Sequence, residues 1–236
     1  MSVFRFRHFE VRQESSAMKI GTDAMVLGAL ATANQPQSIL DIGTGTGVLT
    51  LMMAQKFPNA TLHAIEIDSA ATDEARFNVE KSPWADRIHV WQSDFRDFES
   101  REKYALIISN PPYFTNGLVN ADRSKARARH ESALPFEVLF TRVSECLQED
   151  GGLFWMIAPS AELEALNVHA ERAKLWMNTR VDIQGKEGGA VVRNVLCFAF
   201  NRSENTVHEQ LTIRTANGHY TQEYKALTID FHGIRI

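Results

Sequence analysis

The chain has 236 residues, 44% hydrophobic and 23% charged, with a net charge of −4. These are ordinary globular values, and a chain this long buries about 70–75% of its unfolded surface, so a disordered tail, a collagen and a coiled coil are excluded. No run approaches ~18 consecutive apolar residues, Met1–Arg7 lacks the apolar block of a signal peptide, and Cys146 and Cys197 form no C-x-x-C pair. A membrane span, a disulfide scaffold and a cysteine zinc site are therefore not expected. The eight histidines show no metal-ligand spacing, no metal is expected, and the expected compartment is the cytoplasm. The negative balance gives no overall pull toward nucleic acid, so such a partner must meet a local patch.

In chain order, Val3 to Val11 reads as a short strand, with Phe4 and Phe6 on one face. Thr22 or Asp23 can cap a helix running through Leu30. Ser38 to Ile42 is an apolar strand that enters a glycine loop, and Val48 to Lys56 is the helix that follows. Thr61 to Ile65 is the next strand, and Ser69 caps a helix running toward Ser82, where Pro83 stops it. Ile88 to Trp91, Tyr104 to Ile108 and Gly152 to Ala158 read as strands; helices fill Pro135 to Leu147 and Ala161 to Lys174. This strand–helix rhythm predicts a parallel sheet covered on both faces. Trp176 to Ile183 and Val191 to Phe200 break the rhythm, because only Lys186-Glu187-Gly188-Gly189 separates them closely; they predict an antiparallel hairpin at the sheet edge. The tail adds a strand at Leu211 to Ile213 and a short helix at Tyr220 to Leu227.

The strongest local pattern is Asp41-Ile42-Gly43-Thr44-Gly45-Thr46-Gly47, between a strand and a helix. Glycines let the backbone turn sharply and a ligand come close, and the helix start offers free N–H groups. Glu66-Ile67 ends the second strand 23 residues past Gly43, near the offset at which an acid reaches a ribose diol. Three readings fit: a methyl-donor site, a dinucleotide site and a plain structural turn. A dinucleotide fingerprint places its third glycine one residue later and leaves Asp41 unexplained. Asp94, after the third strand, can accept from an adenine amino group with Phe95 beside the ring; a turn aspartate and a core phenylalanine are the bland alternative.

Ser109-Asn110-Pro111-Pro112-Tyr113 follows the fourth strand. An exocyclic amine on adenine is a poor nucleophile, since its lone pair is delocalised into the ring. Two acceptors on its N–H groups would draw the nitrogen toward tetrahedral geometry. Asn110 offers a side-chain oxygen and Pro111 a carbonyl that Pro112 holds in place. Tyr113 offers a face on which a base can stack. A strand terminator is the alternative. Arg123, Lys125, Arg127, Arg129 and His130 crowd into eight residues just beyond, either as RNA-phosphate contacts or as a solvated charged face. Arg5, Arg7, His8 and Arg12 form a second basic group.

Taken together these motifs resemble the class I S-adenosylmethionine-dependent methyltransferases that methylate amino groups through an N-P-P-Y motif. Asp41 to Gly47, Glu66, Asp94 and Asn110 to Tyr113 stand in that family's order and spacing. With Met18 to Gly28, Phe4-Arg5-Phe6 and Ser82-Pro83-Trp84, the chain is similar over nearly its whole length to bacterial enzymes that methylate N6 of adenine 37 in a valine tRNA. The resemblance implies a Rossmann-like α/β fold with a mostly parallel seven-stranded sheet, an antiparallel edge hairpin and helices on both faces. It implies S-adenosylmethionine as cofactor and tRNA as partner. It further implies one domain: residues 1–37 covering the cofactor site, 38–200 as catalytic core and 201–236 as an extension. Thr22, Asp41, Gly43, Thr44, Gly45, Glu66, Ile67, Asp94, Phe95 and Asn110 are the implied cofactor contacts, and Asn110, Pro111, Pro112 and Tyr113 the catalytic segment. Competing functions are a protein glutamine N5-methyltransferase, a DNA adenine methyltransferase, a nicotinamide-dependent oxidoreductase and a non-catalytic RNA-binding protein.

Overall fold

The computed structural model describes residues 2–14, 19–100, 102–111 and 134–232. A two-stranded hairpin, β1 (Val3–Arg5) and β2 (Glu10–Arg12), precedes α1 (Thr22–Leu30). Then come β3 (Ser38–Ile42), α2 (Val48–Lys56), β4 (Thr61–Glu66), α3 (Ser69–Glu80), β5 (Ile88–Gln92) and β6 (Leu106–Ser109). The remaining elements are α4 (Phe136–Cys146), β7 (Leu153–Pro159), α5 (Leu163–Arg172), β8 (Trp176–Lys186), β9 (Val191–Ala199), β10 (Val207–Arg214) and α6 (Gln222–Thr228).

Eight strands form one sheet in the order β10-β8-β9-β7-β6-β3-β4-β5. β5, β4, β3, β6 and β7 run parallel; β9 is antiparallel to β7 and β8, and β10 is parallel to β8. The chain steps from β3 to β4 and β5 on one side, then returns to β6 on the other. The carboxyl ends of β3 and β6 thus meet at a topological switch point, where open α/β sheets bind ligands.

Strand residues alternate between two cores, as the period of two requires. Ile39, Leu62, Ile108, Trp155 and Val195 face α1, α2, α6 and the terminal hairpin. Leu40, Ile65, Ile107, Phe154 and Leu196 face α4 and α5. In the second core Phe140, Phe154 and Phe198 are fully buried, with Phe140 edge-on to the other two rings at 5.7 and 5.0 Å. Each such side chain stabilises the fold by roughly 2–3 kcal/mol, which holds the sheet that carries the switch point.

Three expectations need correction. The sheet has eight strands rather than seven, because β10 extends beyond Leu211–Ile213 and pairs with β8. Leu211 and Ile213 bury in the same core as Val181 and Ile183, so the tail gains a face to cover. Val3 to Val11 is a hairpin rather than one strand. Phe6 and Phe9 would fall on opposite faces of a continuous strand; the turn instead stacks their rings 4.3 Å apart and buries both. The helix caps also shift by one: Gly21 precedes α1, and Asp68 caps α3 by accepting from the Ala71 N–H at 2.8 Å.

Candidate active site

The register brings the motifs together. Ile42 pairs with Ile65 of β4 and with Ser109 of β6, and Glu66 pairs with Gln92 of β5. Gly43, Glu66, Ser93 and Asn110 therefore leave the sheet along one edge. Gly43, Gly45 and Gly47 all have positive φ, at 71°, 56° and 82°. Residues with a Cβ are strained there, which explains the glycine at every second position. The Gly43 and Thr44 N–H groups donate to Ile65 O at 2.9 and 3.0 Å, tying the loop to β4. A Cβ on Gly43 would meet nothing within 4 Å, so its open side faces space rather than protein.

Asp41 lies beneath the loop and is only 1% exposed. Its Oδ2 accepts from Thr44 Oγ1 at 2.6 Å, Thr50 Oγ1 at 2.7 Å and Thr50 N at 3.1 Å. It thus staples the loop to the first turn of α2. Its Oδ1 is buried without a hydrogen-bond partner among the described residues. Burial pushes the Asp41 carboxyl up to about 6, although the threonine hydrogen bonds pull the other way. Glu66 accepts from Gly45 N at 2.9 Å through Oε2 and from Asp68 N at 3.0 Å through Oε1. Each carboxylate oxygen has a further lone-pair direction left for a ligand hydroxyl.

The remaining expected residues occupy varied settings. Asp94 is held by Arg96, which donates its backbone N–H at 2.9 Å and its Nε at 2.8 Å; the Arg96 hydrogen bond keeps the carboxyl below the ordinary carboxylate range. Phe95 is 5% exposed and packs in the core, so it supports the edge from below and presents no open ring face. Ile67 is 41% exposed beside Glu66. Thr22 is the exposed first residue of α1, next to Asp23, whose Oδ2 meets Arg193 Nε of β9 at 3.0 Å.

On β6, buried Ser109 donates to Ile42 O at 2.9 Å and closes the switch point. Asn110 follows, and its Oδ1 is buried with no partner among the described residues. Pro111 is buried. Pro112, Tyr113, Arg123, Lys125, Arg127 and Arg129 lie outside the described residues. The second basic group does not stand as a free patch: Arg5 pairs with Glu10 at 3.0 Å, Arg7 with Asp230 at 3.9 Å and Arg12 with Glu14 at 3.2 Å.

Two residues that the motifs do not mark complete the setting. Thr50 is a lone hydroxyl in an otherwise apolar stretch of α2, and that contrast was the available signal. Asn78 of α3 is 2% exposed; it donates to Thr46 O and Arg12 O and accepts from Arg12 N, each at 2.9 Å. It clamps β2 onto the glycine loop. Nothing in the local sequence distinguishes it from a surface asparagine.

A buried carboxylate oxygen with no partner among the described residues, under a glycine loop with an open side, suits a cationic, polar donor such as S-adenosylmethionine. A methyltransferase small domain family model matches residues 15–166. The chain is 40% identical over 230 residues to a tRNA1(Val) (adenine(37)-N6)-methyltransferase of Pedobacter heparinus, covering 98% of this chain and 97% of that protein. It is 38% identical over 230 residues to one of Bacteroides thetaiotaomicron, covering 97% and 96%. The solved structure of a predicted O-methyltransferase from Agrobacterium tumefaciens superposes with a TM-score of 0.63 at 19% identity, covering 90% of this chain and 98% of that one. A putative class I S-adenosylmethionine-dependent methyltransferase from Listeria monocytogenes superposes with a TM-score of 0.57 at 12% identity, over 80% of this chain and 62% of that one, and both likenesses speak for the fold. On the near full-length identity with its relatives, the chain belongs to the tRNA1(Val) (adenine(37)-N6)-methyltransferase family.

Proposed function

We propose that this chain transfers a methyl group from S-adenosylmethionine to the exocyclic N6 of adenine 37 in a valine tRNA. The observation that carries the reading is the buried Asn110 Oδ1, which has no partner among the described residues and lies one residue beyond the Ser109–Ile42 pair that leads into the glycine loop. When bound, the sulfonium compound supplies an electrophilic methyl group. On this reading Asp41, Gly43, Thr44, Gly45, Glu66, Ile67 and Asp94 would hold it, with Thr22 at the mouth and Phe95 beneath. Asp41 Oδ1 suits a cationic group, and the Glu66 oxygens suit a diol.

Asn110 Oδ1 and the Pro111 carbonyl accept the two N–H groups of the adenine amine, which leaves its lone pair directed away from the ring plane. The same two acceptors stabilise positive charge as it develops on the nitrogen. Most of the rate enhancement on this reading is positioning. Tyr113 supplies a stacking face, and Arg123, Lys125, Arg127 and Arg129 supply phosphate contacts. Residues 1–37 cover the donor side, 38–200 form the catalytic core and 201–236 an extension; the Asn78 bridge between Arg12 and Thr46 supports the first assignment. The reaction belongs in the cytoplasm, with the tRNA pool.

The test is tritiated methyl transfer to bulk tRNA from a strain lacking the enzyme, followed by nucleoside analysis. N6-methyladenosine at position 37 of the valine tRNA is expected. No label in N6-methyladenosine, or label only in another nucleoside, would overturn the assignment.

A further inference from the structure

From Arg180 and His208 onward, the paired strands β8 and β10 carry one face of polar side chains. Their parallel register sets Arg180 beside His208, Asp182 beside Gln210, Gln184 beside Thr212, and Lys186 beside Arg214. The alternate residues Val181, Ile183, Leu211 and Ile213 are buried on the opposite face. Gln184 Oε1 accepts from Thr212 Oγ1 at 2.9 Å, and Asp182 is met by Arg180, Asn194 and His208, so the row is pre-ordered rather than a loose fringe. Lys186 and Arg214 are exposed, and among the described residues neither meets a carboxylate. Arg214 is instead steadied over the Tyr220 ring at 4.2 Å and by Gly218 O at 2.8 Å. The row thus carries three cations and one paired carboxylate on a chain whose net charge is −4.

Its position matters as much as its charge. Pro159, at the carboxyl end of β7, pairs with Arg193, and Arg193 pairs back to Ile183 of β8. Lys186 and Arg214 therefore stand about 10 Å beyond the level of Pro159, at roughly 3.3 Å per strand residue. They project past the edge that carries Asn110, on the side of the switch point away from the glycine loop. A protein partner would look for an apolar or aromatic centre, and this row has none. Lysine, arginine and side-chain amides in an exposed row match the sugar–phosphate backbone.

The geometry points to the polar face of β8–β10, led by Lys186 and Arg214, as a docking surface for the tRNA backbone; the inference rests on the tRNA reading above and adds where the body of the tRNA lies. The full-length K186A/R214A variant should bind the valine tRNA about tenfold more weakly at 0.1 M salt. Its log Kd should depend on log salt with a slope reduced by about 1.5–2. Its kcat at saturating tRNA and its donor affinity should match the wild type. The K186R/R214K exchange keeps both charges and should retain the wild-type slope. Unchanged tRNA affinity and slope in K186A/R214A would overturn the inference, as would a loss confined to kcat. If the wild-type chain itself left tRNA unmethylated, the function reading would fail first. Normal methylation by wild type and double variant alike, with equal KM for tRNA, would remove only the docking surface.

Discussion

The two sides of the switch point are built differently. On the donor side, β3 to β5, the polar groups are largely spent on one another: Asp41 Oδ2 takes three donors, and both Glu66 oxygens are engaged. Among the described residues Asp41 Oδ1, beneath the glycine loop, is left over, as is Gln55 Oε1 near the far end of α2. On the acceptor side, β6 to β9, three buried oxygens lack partners among the described residues: Asn110 Oδ1, Ser160 Oγ and Asn194 Oδ1. Each unmet buried acceptor costs about 1–3 kcal/mol. Such a cost persists where a ligand supplies the missing donor. On the proposed function, the donor side is a cradle already shaped and the acceptor side is completed by substrate.

The sharpest way to break that comparison is Asn110→Ala. If the Asn110 oxygen serves the transition state, methyl transfer should fall by about 10²–10³-fold while donor affinity by calorimetry stays within about twofold. A variant that turned over normally would make Asn110 a strand terminator and nothing more.

Asp41→Asn probes the other side. Loss of the charge should raise donor Kd about 10–100-fold with little change in kcat at saturating donor. The pH dependence has a defined sign. Because burial pushes the folded carboxyl up to about 6 from its ordinary value of 3.8, the folded state holds its proton more tightly than the unfolded state does. The resulting penalty is fully present above pH 6 and disappears as pH falls toward 3.8. Asp41→Asn lacks it, so the variant should be more stable by on the order of 1–3 kcal/mol at pH 7.5, with the gap closing by pH 4. In the wild type, donor affinity should tighten as pH rises through about 6. Thermal melts and calorimetry at several pH values check both.

Glu66→Gln should have a smaller effect, raising donor Kd about tenfold, since an amide keeps one acceptor for Gly45 N but loses the charge-assisted bonds. Equilibrium binding measures it.

The asymmetry also explains what was readable from the residues alone. Asp41 to Gly47, Glu66 and Asn110-Pro111 each stand at or just past the end of an apolar strand of a strand–helix rhythm, so sequence position alone put them at one edge. Local chemistry also predicts a parallel sheet and the late hairpin. What escaped depended on distant partners. β10 looks like a short apolar strand until Val181 and Ile183 supply a core for Leu211 and Ile213. The turn between Phe6 and Phe9 carries neither glycine nor proline; ring stacking, the Phe6 N–H bond to Phe9 O and the Arg7 N–H bond to Phe231 O hold it. Asn78 sits 66 residues from Arg12, and no window of sequence contains both. Arg5 and Arg12 looked like a basic patch because their carboxylate partners come from β2 and α3 after folding.

Gly43→Ala gives the smallest change and divides a ligand cradle from a mere turn. Gly43 has φ 71°, and an added Cβ would meet no protein atom within 4 Å. The cost to stability is then backbone strain alone, about 1–2 kcal/mol, and melting should register a drop of a few degrees. A structural turn predicts that nothing else changes. A cradle predicts that the methyl group occupies space needed by the donor, so that donor Kd rises several-fold while kcat at saturating donor holds. Because the strain is common to both readings, only the ratio of the two effects decides, and a stability loss without an affinity loss would return the loop to a purely structural role.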